Sequence, residues 1–149
     1  MYASLKNKLE HPSAIKWFAG RQVEEAWIAE AEAELGQQLP ASYKWWLREY
    51  GNAQLSGSVI FTLVPPEFKD ISDSDLLYNH RLNREHDWIP QGRLYIYVPD
   101  ADEAYFFDMK AWDGQNEGEV MREDYLGGDV EVYAQSFAQF LEKLIDEHS

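Results

Sequence analysis

Two helical periodicities, separated by a glycine and a proline, dominate the first third of this 149-residue chain. Apolar residues recur every four positions at Val23, Trp27, Ala31 and Leu35. The positions between them hold five acids: Glu24, Glu25, Glu30, Glu32 and Glu34. This spacing predicts an amphipathic helix with one buried face. Gly36 is suited to end that helix, because glycine adopts a left-handed backbone conformation at little cost.

A second helix is predicted to start at Pro40, because proline lacks the N–H that a first helical residue does not need. The apolar residues of this helix stand at positions i, i+3, i+4 and i+7, which are Tyr43, Trp46, Leu47 and Tyr50. Gly51 is predicted to end the helix. A last helix follows Ser136, which forms a capping-box pattern with Gln139. One face of that helix is entirely apolar and must be buried: Phe137, Phe140, Leu141, Leu144 and Ile145.

Between these helices the period of the apolar residues changes to two, which indicates strands. The predicted strands cover residues 59–64, 94–98, 103–109, 119–122 and 130–133, with a helical crossover over 73–85. We therefore predict a single α+β domain over residues 1–149, with a helical N-terminal extension over about 1–21. Its sheet has about five strands flanked by helices and is largely antiparallel, with a mixed sheet as the alternative.

Composition excludes several classes of protein. Six Trp, nine Tyr and seven Phe are too many for a disordered chain. There is no cysteine, which excludes disulfides, thiolate metal sites and a cysteine nucleophile. No apolar run approaches the roughly 20 residues that span a bilayer, and the N-terminus lacks the apolar stretch of a signal peptide. We expect a cytoplasmic protein.

The charge of the chain is strongly negative and unevenly placed. The net charge is −14, from 13 basic and 27 acidic residues. Residues 1–69 carry 8 acids and 7 bases, whereas residues 70–149 carry 19 acids and 6 bases. Nucleic acids and anionic membranes bind basic surfaces, so neither is expected as a partner. The uneven charge indicates a basic protein partner instead. The alternative is that the acids only keep an aromatic-rich protein soluble.

Motifs of catalysis and of cofactor binding are missing. The sequence has no G-x-S-x-G, no phosphate-binding G-x-x-x-x-G-K-[ST] and no G-x-G-x-x-G. His80 and His86 are six residues apart, and this spacing does not place two metal ligands on the same face of a helix. The acids near them that could complete a metal site are Asp75, Glu85 and Asp87. The acidic run at 100–103 departs from a calcium loop at Ala104 and Tyr105. We predict no enzyme, no metal and no cofactor.

The segment from Ile28 to Gly51 resembles the signature of the SUKH superfamily, which reads I-x-x-x-E-x-x-L-G-x-x-L-P-x-x-Y-K followed by a helix and a glycine. The matching positions are Ile28, Glu32, Leu35, Gly36, Leu39, Pro40, Tyr43, Lys44, Leu47 and Gly51. Residues 94–98 and 103–108 resemble the central hairpin of that family, and residues 134–141 resemble its closing helix. The likeness covers about residues 22–145.

The resemblance implies a binding protein rather than an enzyme. Most bacterial members look like immunity proteins that neutralise a cognate protein toxin, often a nuclease, and fungal members look like regulatory scaffolds of cell-wall synthesis. We expect an acidic, aromatic face to cover a basic nuclease-type toxin, and we expect the chain to be a monomer or a weak homodimer. A scaffold that binds a host protein is the alternative.

The predicted contact residues combine carboxylates, which steer and orient a cationic partner, with aromatic anchors, which supply affinity. The carboxylates are Asp100, Asp102, Glu103, Asp113, Glu117 and Asp124, and the anchors are Trp88, Trp112 and Tyr125. The alternative for each ring is an ordinary place in the core.

Overall fold

A computed structural model describes residues 2–11, 15–55, 57–68, 70–86, 90–100, 102–110 and 117–148. Within these residues the helices are α1 (Ala3–Glu10), α2 (Glu25–Leu35), α3 (Ala41–Glu49), α4 (Leu76–His86) and α5 (Phe137–Glu147). The strands are β1 (Ile15–Lys16), β2 (Gln54–Leu55), β3 (Ser58–Val59), β4 (Arg93–Tyr97), β5 (Glu103–Asp108), β6 (Val120–Asp124) and β7 (Val130–Ala134). A 3-10 turn covers Pro66–Phe68.

The described strands form two antiparallel sheets. The smaller sheet has the order β1-β2-β3, and the larger is a meander with the order β4-β5-β6-β7. The predicted α+β class is confirmed, with sheets that are antiparallel throughout the described residues. The prediction of one sheet with about five strands is wrong, because seven described strands divide between two sheets.

The division arises in the segment predicted as a strand over residues 59–64. Only β3 at its start is regular, and the residues that follow make isolated bridges, Ile60 with Tyr97 and Thr62 with Asp75. The backbone N–H of Phe61 donates to Ile96 of β4 (2.8 Å), whereas that of Thr62 donates to Ser74 before α4 (2.9 Å). Since successive residues bond to different neighbours, the segment links the two sheets without extending either.

The predicted break between α2 and α3 is present. Gly36 is left-handed, with φ 76°, and ends α2. Pro40 has an extended ψ of 145° and precedes the first helical residue, Ala41, so the prediction that it occupies the first helical position is displaced by one residue. Its carbonyl accepts the N–H of Lys44 at 3.1 Å and so begins the hydrogen-bond ladder of α3.

The loop between these helices is held by the side chain of Glu32. Its carboxylate accepts the backbone N–H of Leu39 at 2.8 Å and pairs with the Lys44 ammonium at 3.2 Å. Leu39, fixed in this way, is buried in the core. The carboxylate, the leucine and the lysine of the signature segment therefore act together as a clasp between α2 and α3.

One large apolar core joins the helices to one face of the β4–β7 sheet. Tyr43 lies fully buried in it, with its ring edge-on to Phe107 and Phe137 at centroid distances of 5.8 Å and 4.8 Å. Its hydroxyl donates to the carbonyl of Phe61 at 2.7 Å. The apolar face predicted for the last helix is buried throughout, and Ser136 caps α5 by accepting the N–H of Gln139.

The N-terminal segment is part of the same core. α1 packs on α5 through Leu5 and Leu9, and both side chains are buried. An ion pair between Lys8 and Asp146, at 2.8 Å, lies beside this contact. None of the helices in the described residues combines the length and apolarity that a bilayer-spanning helix needs.

Candidate protein-binding face

Two hairpin turns meet at one end of the β4–β7 sheet. The first connects β4 to β5 and the second connects β6 to β7, and Glu103 and Asp124 are register partners beside them. The backbone N–H of Tyr125, in the second turn, donates to the carbonyl of Asp102, in the first, at 2.8 Å. This bond joins the two turns into one surface, the hairpin end, made of residues 98–100, 102–103 and 124–131.

Carboxylates shape the two turns. Asp100 Oδ1 accepts the backbone N–H groups of Asp102 (2.7 Å) and Glu103 (3.1 Å). Asp124 Oδ1 accepts those of Leu126 (3.0 Å) and Gly127 (3.3 Å). Aspartate favours this geometry because its short side chain can reach the backbone two residues further along. These two acids therefore hold the conformation of the surface as well as giving it charge.

The hairpin end carries a concentrated negative charge. Its six carboxylates are Asp100, Asp102, Glu103, Asp124, Asp129 and Glu131. Among the residues that the structure describes, Arg122 is the guanidinium paired with them, at 2.8 Å from Glu103 and 3.7 Å from Glu131. Its hydrogen bond to Glu103 raises the pKa of Arg122. Burial, together with the charges of Glu103 and Asp100, raises the pKa of Tyr97 to about 12.

Large apolar side chains stand among these charges. The exposed fractions are 44% for Tyr125, 80% for Leu126, 41% for Val130 and 45% for Val132. Val130 and Val132 project from the same face of β7, because side chains alternate along a strand. Apolar contacts surrounded by charge are the usual composition of a protein interface.

The structure brings five of the nine predicted contact residues together. Asp100, Asp102, Glu103, Asp124 and Tyr125 all lie at the hairpin end. Trp88, Trp112 and Asp113 lie outside the described residues.

Glu117 lies apart from this group, beyond the other end of the sheet and before β6. Its carboxylate accepts both the backbone N–H and the hydroxyl of Ser42, at 3.1 Å and 2.9 Å. Ser42 is completely buried at the start of α3. The Glu117 carboxylate therefore has a structural partner inside the chain.

The model of the family SUKH_6, described as SMI1-KNR4 cell-wall, matches residues 25–141. The chain belongs to this family. The matched span runs from α2 into α5 and contains both the Glu32 clasp and the hairpin end. The predicted membership of the SUKH superfamily is thereby confirmed. No curated protein matches the chain.

The histidines considered as metal ligands, His80 and His86, both lie in α4 of this SUKH_6 domain. No group of three His, Cys, Asp or Glu side chains able to hold a metal ion occurs among the described residues. His80 Nδ1 is buried without a hydrogen-bond partner there. Burial and the neighbouring charge of Arg84 lower the pKa of His80. Asp75 is turned into the fold, where it accepts N–H groups of Val64 and Tyr78.

A separate apolar groove of about 670 Å³ lies beside the small sheet of this SUKH_6 domain. Phe18, Trp27, Val64, Phe68 and Ile71 are among its walls. Arg21 stands at the groove with its guanidinium 5.5 Å from the centroid of the Phe18 ring. The groove is remote in sequence from the hairpin end.

Sequence reasoning missed further residues of this face, among them Leu126, Asp129, Val130 and Glu131. All four are exposed, and Val130 and Glu131 belong to a strand that was predicted. Alternation located the strand but did not show that β7 is the outer strand of its sheet. The run Asp124-Tyr125-Leu126-Gly127-Gly128-Asp129 between two strands was the available signal, because its glycines and aspartates are typical of an exposed turn.

Proposed function

We propose that this SUKH_6 domain is a non-enzymatic bacterial immunity protein that neutralises a basic, nuclease-type toxin. The observation that carries the proposal is the hydrogen bond from Tyr125 to Asp102, which joins two acidic turns into one face. Six carboxylates accompany one paired guanidinium at this end, within the described residues, and exposed apolar side chains lie between them.

The proposed mechanism is occlusion of the toxin's active site or substrate groove. A nuclease must present cations to phosphate groups, so an acidic surface of suitable shape occupies the same cations. The field of the hairpin end steers the basic domain toward it, and Tyr125 and Leu126 supply apolar contact after the encounter. Neither step requires a chemical reaction by this chain.

Co-expression with the product of the neighbouring gene tests the proposal, with cell survival as the measurement. The informative variant is the double reversal Asp102→Lys and Asp129→Lys, because neither carboxylate makes a hydrogen bond within the described residues, which leaves the turns intact. The matched control is the double reversal Glu30→Lys and Glu67→Lys. Both acids are exposed and lie away from the hairpin end, and neither side chain makes a hydrogen bond or an ion pair among the described residues.

We expect the wild type and the control to protect the cell and the hairpin-end variant to lose protection, with thermal unfolding of all three proteins unchanged within a few degrees. If the hairpin-end variant protects the cell as well as the control variant does, the hairpin end is not part of the toxin interface. Cell death with the wild type present would refute the immunity function itself.

A regulatory scaffold is the second candidate, and the cell-wall description of the family favours it. In that case the hairpin end binds a basic host protein, and no toxin reading frame adjoins the gene. Deleting the gene should then change sensitivity to cell-wall stress. An unchanged sensitivity, together with a toxin gene alongside, would decide against the scaffold.

A further inference from the structure

β7 has an open edge next to the hairpin end. It is the outer strand of the β4–β7 sheet and pairs only with β6 among the described strands. Asp124 donates its backbone N–H to Asp129 at 2.8 Å, and Arg122 is the register partner of Glu131. In an antiparallel ladder hydrogen-bonded pairs alternate with non-hydrogen-bonded pairs. Val130 and Val132 therefore occupy non-hydrogen-bonded pairs, with their N–H and C=O groups pointing away from β6.

These outward groups have no hydrogen-bond partner within the described part of the chain. Further along β7, the carbonyl of Tyr133 accepts the Lys143 ammonium at 2.6 Å, and a register shift interrupts the ladder opposite Val120 and Met121. The open stretch is thus confined to Val130–Val132, whose two valines are each more than two-fifths exposed. Native proteins usually protect such an edge with proline, lysine or a covering segment.

We propose that this edge takes up an extended segment of a basic protein partner as a fifth strand of the sheet. The inference rests on the proposed function and specifies its mode of binding. Strand addition uses backbone hydrogen bonds for affinity and alternating side chains for specificity. The segment presents small apolar side chains to Val130 and Val132, and lysine or arginine on the other face toward Glu131.

Charge distinguishes this occupant from a second copy of the chain. Two β7 edges paired antiparallel would bring Glu131 and Asp129 of one copy near the same acids of the other, in proteins of net charge −14. Like charges on facing strands destabilise their pairing. A segment with alternating cationic residues instead brings positive charge to Glu131, which shares the Arg122 guanidinium with Glu103, and extends toward the other carboxylates of the hairpin end.

A synthetic peptide tests strand addition independently of any toxin. The probe is a capped nine-residue peptide that alternates lysine and valine, titrated into the isotope-labelled full chain. We expect the amides of Val130 and Val132 to shift and to exchange with solvent at least about tenfold more slowly. A control peptide with prolines in place of the valines keeps the charge but loses the backbone N–H donor at every valine position. It should bind at least about tenfold more weakly.

The matched variants are Val130→Pro and Val130→Thr. Proline removes an N–H that points away from β6, and it is tolerated at the first residue of a strand. Threonine keeps that N–H and the branched shape. We expect Val130→Pro to weaken peptide binding about tenfold and Val130→Thr to weaken it less than threefold. If Val130→Pro fails to fold, the exchange rates and the control peptide on the wild type still decide the question.

Strand addition is overturned if the wild-type protein does not bind the lysine–valine peptide, or if it binds the lysine–valine and lysine–proline peptides with equal affinity. A wild-type dimer in sedimentation that Val130→Pro dissociates would also overturn it, by assigning the edge to a second copy. The immunity function is decided separately by cell survival, so failure at the edge leaves that measurement unaffected, and failure of protection leaves the peptide result standing.

Discussion

At the scale of single residues, Asp75 is the most buried carboxylate among the residues that the structure describes. It is 3% exposed at the start of α4, and its two oxygens accept the N–H groups of Val64 at 3.1 Å and Tyr78 at 2.9 Å. Burial raises the pKa of Asp75, while the two N–H donors oppose that rise. The side chain caps α4 and ties it to the segment after Thr62.

Replacing Asp75 with alanine should lower the free energy of unfolding by about 2–4 kcal/mol, because two buried N–H groups lose their acceptor. Urea denaturation measures the change. Asp73→Ala is the matched control, since Asp73 is an exposed acid two residues earlier, and it should change the free energy by less than about 0.5 kcal/mol. Equal losses in the two variants would show that the buried bonds contribute little.

His80 should make the stability depend on pH. Because burial and Arg84 lower the pKa of His80 in the fold, the unfolded chain binds a proton at higher pH than the folded chain does. Stability should therefore fall as the pH decreases through the ordinary histidine value of about 6.5. In His80→Gln the loss between about pH 7.5 and about pH 5.5 should be smaller. Parallel curves for the two proteins would contradict the assignment.

At the scale of secondary-structure elements, three segments meet at Ser42. Its hydroxyl donates to Glu117 before β6 at 2.9 Å and accepts the backbone N–H of Ala138 in α5 at 3.0 Å. The carboxylate of Glu117 also lies at the N-terminal turn of α3, where a negative charge is favoured by the helix dipole. A single buried serine thus couples two helices to the loop that leads into the sheet.

Glu117→Ala should lower the free energy of unfolding by about 1–3 kcal/mol, because Ser42 loses the acceptor for its buried hydroxyl. Thermal unfolding followed by circular dichroism measures the effect. The control is Glu119→Ala, which removes an exposed carboxylate two residues away and should leave the midpoint almost unchanged. A midpoint for Glu117→Ala equal to that of the control would refute the coupling.

At the scale of the whole molecule, charge and exposed apolar surface coincide at one end of the larger sheet. Acids also occur on α2, but there they include Glu25 and Glu34, which pair with Arg48 and Arg81. At the hairpin end, six carboxylates accompany Arg122 within the described residues. This asymmetry gives the molecule a direction from which a cationic protein approaches.

Association with a basic toxin domain should therefore depend strongly on salt. Raising the ionic strength from about 0.05 M to about 0.5 M should slow the association rate at least about tenfold and alter the dissociation rate much less. Stopped-flow fluorescence of the six tryptophans measures both rates. The Asp102→Lys, Asp129→Lys variant should show a flatter dependence than the Glu30→Lys, Glu67→Lys control. An association rate insensitive to salt would exclude steering by the hairpin end.

Local patterns predicted most of the regular elements. The faces of α3 and α5, the end of α2 at Gly36 and the four strands of the larger sheet follow from periodicity and from glycine and proline chemistry. The Glu32 clasp was outside the reach of that reasoning, although its residues belong to the recognised signature. The bonds of this clasp connect the Glu32 side chain to the loop between α2 and α3 and to Lys44. The path of that loop is fixed only when the two helices pack together.

The amino-acid sequence alone determined the fold class, the family and the acidity of the second half, because each depends on residue types and on spacings within one segment. Tertiary structure decided which acids meet, which strand is outermost and which valines remain exposed. Those properties depend on strand order and on a backbone bond between two turns, Tyr125 to Asp102, that are more than 20 positions apart in the chain. Periodicity places side chains on a face, but only packing decides whether that face is covered.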